Sequence, residues 1–247
     1  MSSTEIEEQA KIFLPTMFER IQNDFNWNRI EQYQEFLIRQ NERGGFFSKN
    51  DAAVIFERHI LDCLLFVWKL KEEGLVSRET KVADVGTGPG LPGFIFLCLK
   101  QLPSVILIDS QRRKLFLLEE EVMHGNLSEV KDRITFSYER AEDMKAKFDV
   151  VTSRAVVPYP FMIEVASNLV KRGGVLCPYL GQLRFDESVE KRVLQYSGFH
   201  IKKEIELSEL DFLGKRHIKI LQKDSDTKPG YPRLWKDIVK ETKQANG

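Results

Sequence analysis

The sequence predicts an α/β protein. A mostly parallel sheet is covered by helices on both faces, closed by an antiparallel hairpin at one edge and preceded by a helical extension. Three observations predict this. Apolar residues in the first 75 positions recur at helical spacing. After them, short strand-like runs alternate with helical ones, the pattern of parallel strands joined by crossover helices. The first such run leads into four glycines within eight residues and then an apolar stretch, the form of a nucleotide-binding βα unit.

Over residues 5–40, Ile12, Phe13, Met17 and Ile21, then Ile30, Tyr33, Phe36 and Leu37, predict two helices broken near 23–28. Arg43-Gly44-Gly45 marks a loop. Asp51 is placed to cap a third helix running to about Lys71, closed by Gly74. Strands are then expected at 81–85, 105–109, 134–137, 148–153 and 174–180, with helices at 91–100, 111–123, 160–170 and 186–196. A turn is expected at Lys171-Arg172-Gly173-Gly174 and a short one at 141–145. Runs at 199–207 and 217–222 supply the hairpin. The expected organisation is a helical extension (1–75), a ligand-binding domain (76–223) and a basic tail (224–247).

Val82-Ala83-Asp84-Val85-Gly86-Thr87-Gly88-Pro89-Gly90-Leu91-Pro92-Gly93 fits two templates. Gly88, Gly90 and Gly93 match the dinucleotide fingerprint G-x-G-x-x-G. Asp84, Gly86, Gly88 and Gly90 match D-x-G-x-G-x-G, the loop of S-adenosylmethionine (SAM)-dependent methyltransferases. A carboxylate inside the strand has no use in a dinucleotide site. In a SAM site it orients the loop and the cationic amino-acid end of the ligand, so Asp84 favours SAM. Asp109 ends the second strand, 19 residues past Gly90, where a carboxylate bonds ribose hydroxyls. It is equally placed to cap the helix that follows, and one carboxylate can do both. The Gly loop, Asp109, Ala141-Glu142 and Ser153-Arg154 all fall at carboxyl ends of strands, the ligand edge of such a sheet.

No stretch approaches 18 uninterrupted apolar residues, so no membrane span is expected. Cys63, Cys98 and Cys177 sit in apolar surroundings without a C-x-x-C, as thiols of a reducing cytoplasm do. The four histidines are scattered and suggest no metal site. Lys plus Arg balance Asp plus Glu at 37 each, but nine of the cations and only four acids lie from Lys215 onward. This basic end either contacts a phosphate backbone or is a solvated tail. Tyr231 to Trp235 break its polar run, and Trp235 pinning the tail to the core is the favoured reading.

The methyl acceptor is read by elimination. Cytosine C5 needs a cysteine nucleophile after strand four or five, and Cys177 lies inside strand five. Exocyclic adenine amines usually need an Asn/Asp-Pro-Pro-Tyr/Phe motif, where this chain has Ser153-Arg154-Ala155-Val156-Val157-Pro158. A ring nitrogen such as guanine N7 carries a free lone pair and needs only positioning and desolvation. A cation with no obvious base suits it.

Glu57-Arg58-His59-Ile60-Leu61-Asp62-Cys63-Leu64, the Asp84 to Gly93 loop, Asp109-Ser110 and Ser153-Arg154-Ala155 resemble the bacterial small-subunit rRNA guanine-N7 methyltransferases, first named for glucose-inhibited division (protein B). The resemblance runs over roughly 31–222. It implies a SAM-type Rossmann sheet with an N-terminal helical extension, SAM as cofactor, and methylation of a guanine N7 in 16S rRNA of the small ribosomal subunit near the decoding site. It also implies cofactor contacts at Gly86, Leu91, Ala141, Glu142 and Arg154, which join Gly88 and Asp109 from the loop and strand-end reading, with Glu142 reaching the adenine amino group and Arg154 lying where cofactor and guanine meet. Without the resemblance, Arg154 reads as a strand-end ion pair and Glu142 as a first-turn helix acid. His59 and Asp62, three apart on one helix face, read as a buried polar pair tying the extension to the sheet. The chain departs from the family at Gly44-Gly45-Phe46-Phe47-Ser48 (usually Asn-Leu-Thr), at Cys63 (usually Ser) and at Leu180-Gly181 (often Lys-Gly). A cytoplasmic monomer is expected. Two other functions are carried: an NAD(P)-dependent oxidoreductase using Gly88, Gly90 and Gly93, and a non-catalytic RNA-binding ribosome-assembly module.

Overall fold

The computed structural model describes residues 2–181 and 183–245. Met1, Gln182, Asn246 and Gly247, at the ends of the expected extension and tail and beside the Leu180-Gly181 departure, lie outside the described residues. Seven strands form one sheet in the order β3-β2-β1-β4-β5-β7-β6. They are β1 (Lys81–Val85), β2 (Ser104–Ile108), β3 (Ile134–Ser137), β4 (Phe148–Arg154), β5 (Val170–Leu180), β6 (Phe199–Leu207) and β7 (Arg216–Lys223). β1 to β5 pair in parallel, and β7 runs antiparallel between β5 and β6.

The extension holds α1 (Ser3–Phe13), α2 (Phe18–Ile21), α3 (Trp27–Gly44), α4 (Lys49–Ala52), a π-helical turn (Phe56–Ile60) and α5 (Leu61–Glu72). Pro15 follows the end of α1, where the sequence suggested one continuous helix. In α3 the Asn26 side chain accepts from the Arg29 N–H, and Gly45 ends the helix at φ 59°. The cap expected of Asp51 belongs to Ser48, whose hydroxyl accepts from the Asp51 N–H. Ile30, Tyr33, Phe36 and Leu37 are buried, as their spacing predicted, in one cluster with Phe94 and Leu107 on a sheet face. Tyr33 stacks on Phe94 at 4.3 Å, and its hydroxyl donates to the Pro89 carbonyl at 3.0 Å. The extension thus braces the Gly loop directly.

Three further expectations are corrected. The helix expected at 91–100 is one turn, α6 (Gly93–Phe96). Its continuation is claimed by the extension instead: Cys98 O accepts from the Asn26 N–H, Lys100 N–H donates to Asp24 O, and Leu97 O accepts from Arg29. The helix expected at 160–170 is α8 (Phe161–Ala166), and Val170 already pairs with Phe148. The turn expected at 171–174 is a bulge inside β5: pairing passes from Phe148–Val170 to Val150–Val175, with Gly173 at φ 78°.

α7 (Arg112–His124) and α9 (Glu187–Ser197) cover opposite faces. The last segment forms α10 (Trp235–Ala245), whose Ile238 is buried. Much of its basic excess is used internally. Lys219 bonds Glu190, Lys223 is buried against the Ser167 carbonyl, Arg233 pairs with Glu164 and Arg216 with Asp62. Among the described residues no helix is long and apolar enough to cross a membrane.

Candidate active site

After β1 the chain turns through Gly86 and Gly88 at φ 66° and 60°, which glycine reaches without steric cost. A Cβ on Gly86 would lie 2.3 Å from Val156, whereas one on Gly88 would meet nothing within 4 Å. Gly88 therefore offers bare backbone. Its N–H donates to Asp109 Oδ2 at 2.8 Å, while Asp109 Oδ1 accepts from the Gln111 N–H at 2.8 Å. Asp109 ties the loop to the start of α7 and still faces the cavity beside it.

Asp84 has a narrower role than expected. It is fully buried, accepting from the Gly93 N–H at 2.9 Å and the Thr152 hydroxyl at 2.8 Å. It shapes the loop from beneath and lines neither cavity at the sheet edge. Burial pushes its carboxyl up from 3.8 to about 6, against the pull of its hydrogen bonds and of Arg154. A folded-state value above the unfolded one gives stability that is complete below pH 3.8 and lost as pH rises through about 6. Asp84→Asn, uncharged throughout, should remove this slope. Relative to wild type it should gain roughly 3 kcal/mol between pH 4 and pH 7, as read from urea unfolding at both pH values; parallel wild-type and variant profiles would refute the assignment.

Two cavities meet at this edge. The larger, about 810 Å³, is lined by Leu91, Arg154, His59, Phe47, Arg58 and Arg184 among others. The smaller, about 270 Å³, is lined by Asp109, Ala141, Glu142 and Trp235 among others. Gly86, Gly88, Ala155 and Val156 line both. Ala155 stands at φ 55°, the single non-glycine residue with positive φ among those described, and such strain concentrates at functional sites. The residues expected to contact a cofactor are therefore split: Leu91 and Arg154 on one side of the Ala155 and Val156 ridge, Asp109, Ala141 and Glu142 on the other. Glu142 Oε1 is buried without a hydrogen-bond partner and so lacks a donor. A bare-backbone loop, a carboxylate near it and an orphaned carboxylate oxygen suit a nucleoside with an exocyclic amine, as SAM carries.

His59 and Asp62 are not bonded to each other. Asp62 accepts from the Tyr179 hydroxyl at 2.6 Å and from Arg154 Nη1 and Arg216 Nε at 3.3 Å each. One carboxylate thus ties the extension to β4, β5 and β7, beside the stacking of Phe66 on Tyr179. His59 instead stacks on Phe47 at 4.3 Å, and its Nε2 is buried without a partner. Burial and then Arg154 pull its pKa down to about 4, so it is neutral at pH 7. The π-helical turn carrying Arg58 and His59 lies beside the larger cavity, and such turns recur at functional sites. Sequence reasoning did not single out Phe47, Arg58 or Arg184 as pocket residues. The Phe46-Phe47 departure could have flagged Phe47, and the Glu57 to Leu64 motif Arg58; no signal marked Arg184.

Residues 26–218 match the family model described as rRNA small subunit methyltransferase G (GidB). Ribosomal RNA small subunit methyltransferase G of Leptospira biflexa is 56% identical over 247 residues, all of both chains. Its counterpart in Leptospira interrogans is 44% identical over 242 residues, 98% of this chain and 94% of that one. Among solved structures, SAM-bound magnesium protoporphyrin IX methyltransferase from Synechocystis superposes with a TM-score of 0.53 at 18% identity, covering 78% of this chain and 97% of that one. That last likeness is one of fold.

Proposed function

The chain belongs to the rRNA small subunit methyltransferase G family, and from that premise we propose that it transfers the methyl group of SAM to N7 of a guanine in 16S rRNA near the decoding site. The observation that carries this reading is the pairing of two cavities across one Gly loop. One suits an adenosine; the other carries cations and aromatic faces, as an RNA nucleotide requires. Family membership sets aside hydride transfer through Gly88, Gly90 and Gly93.

Asp109, Ala141 and Glu142 would hold the adenosyl half of SAM, and Gly86, Gly88 and Leu91 the loop side. When bound, SAM supplies a methyl group on a sulfonium leaving group. The N7 lone pair forms the new bond as the carbon–sulfur bond breaks, and the positive charge passes from sulfur to the base. No proton need be removed before attack, and the site fits that requirement: His59 is neutral but packed on Phe47, and Asp62 is occupied by Tyr179 and two arginines. Arg154, fixed by Asp62, presents guanidinium donors where cofactor and guanine meet. Arg58 and Arg184 face the larger cavity and would meet phosphates. The protein acts as a monomer in the cytoplasm on the small subunit or its rRNA, which light scattering and fractionation check.

The test supplies tritium-labelled SAM with small subunits, or 16S rRNA, from cells lacking the enzyme. Label in rRNA with borohydride–aniline cleavage at one guanine is the expected result. SAM binding without label in either RNA form would overturn methyl transfer to rRNA and leave the assembly-module reading.

A further inference from the structure

The smaller cavity has a wall that the family segment does not contain. Trp235 lines it together with Asp109, Ala141 and Glu142, yet the family match ends at residue 218. Trp235 opens α10, and that helix is strapped to the sheet layer by a built ion-pair network. Glu164 on α8 is fully buried. Its Oε1 accepts from the Arg233 N–H at 2.7 Å and from Arg233 Nε at 2.8 Å, and its Oε2 accepts from Arg233 Nη2 at 2.7 Å. Arg233 Nη1 reaches Glu241 at 2.7 Å, and Glu241 also accepts from Arg192 at 2.5 Å. A carboxylate at that depth needs its partner, so the segment before α10 is held in place rather than trailing in solvent.

At the cavity the Arg140 guanidinium lies over the Trp235 ring at 5.2 Å and 3.7 Å from Glu142. That 3.7 Å is to Oε1, so the oxygen has a cation nearby but no donor within hydrogen-bond distance. An indole beside a carboxylate that seeks an N–H donor suits a flat heterocycle bearing an exocyclic amine, such as adenine. Aromatic faces are the usual platform for such rings.

We infer that Trp235 forms a wall of the adenine subsite and that the C-terminal segment, strapped down through Arg233 and Glu164, completes the cofactor site from outside the family segment. This rests on the reading of the smaller cavity as the adenosyl half of the SAM site. Trp27 and Trp68, the other two tryptophans, are buried in the extension, so Trp235 is the emitter placed to sense that cavity.

The full chain is titrated with S-adenosylhomocysteine by calorimetry and by intrinsic fluorescence. Wild type should bind with a saturable change in emission. Trp235→Phe should lose that change while keeping Kd within about threefold, and Trp235→Ala should raise Kd about tenfold or more. Arg233→Ala should match Trp235→Ala if it folds; the two Trp235 variants carry the test if it does not. Wild-type Kd in Trp235→Ala, or an unchanged emission response in Trp235→Phe, overturns the inference and leaves the proposed function standing. No calorimetric binding to wild type overturns the cofactor reading, and the inference with it.

Discussion

Arg154→Ala should lower single-turnover methyl transfer by about 10²- to 10³-fold, while the Kd for S-adenosylhomocysteine changes by less than tenfold. The guanidinium lies at the end of β4, immediately before the strained Ala155, and is aimed by Asp62. Its side chain is buried enough to be fixed in one direction, yet it lines the larger cavity. N7 attack needs no base, so the barrier is lowered mainly by holding the ring in line with the methyl group and away from water. Misplacement by about 1 Å costs about a hundredfold, and loss of a fixed donor costs roughly 3 to 4 kcal/mol. Arg154→Lys should rescue little, because an ammonium cannot span Asp62 and the cavity with one planar fork. Single-turnover rates beside calorimetry check the split. Unchanged chemistry with a large rise in Kd would make Arg154 a cofactor contact only.

The sheet was legible because its strands carry their own punctuation. β1 and β2 are short, mostly apolar runs ended by glycine or Asp109, and each falls within one residue of its expected bounds. The ligand edge was legible for the same reason: Gly86, Asp109 and Glu142 follow strands and Arg154 ends one, and the topology brings strand ends together. The stretch 91–100 was not legible. It is buried nearly all round, so no polar face gives it a period, and its backbone partners Asp24, Asn26 and Arg29 lie some 70 residues earlier. Gly173 and Gly174 signal a chain reversal and a bulge alike, and only the register with β4 decides. His59 and Asp62 both line the larger cavity, but His59 sits in the π-helical turn and Asp62 in α5, so the α-helical spacing did not make them a pair. Their partners are set by tertiary packing, and the partners of Asp62 lie 92, 117 and 154 positions away. Trp235 stood out in a polar tail, but its place at the cavity depends on Glu164, 69 positions before Arg233.

Asp62 is where fold and chemistry are most tightly joined, and Asp62→Ala should lower stability by about 3 to 5 kcal/mol, the cost of breaking a buried ion pair from one side. For a chain of this length that is on the order of 10 °C in Tm. Its carboxylate is the meeting point of the extension with three strands: β4 through Arg154, β5 through Tyr179 and β7 through Arg216. Removing it leaves a buried Tyr179 hydroxyl without an acceptor and two guanidinium groups facing each other without a counter-charge. Asp62→Asn keeps an oxygen for Tyr179 but not the charge, so it should restore part of the stability and little of the activity. The two effects are separable. Calorimetry reads the loss of Tm, and methyl transfer at a temperature where both variants are fully folded reads the loss of aim on Arg154. If activity returns to wild type once folding is secured, Asp62 only staples the extension to the sheet. If it stays low in both, the extension is part of the active site, because through Asp62 it sets the direction of the one cation the reaction uses.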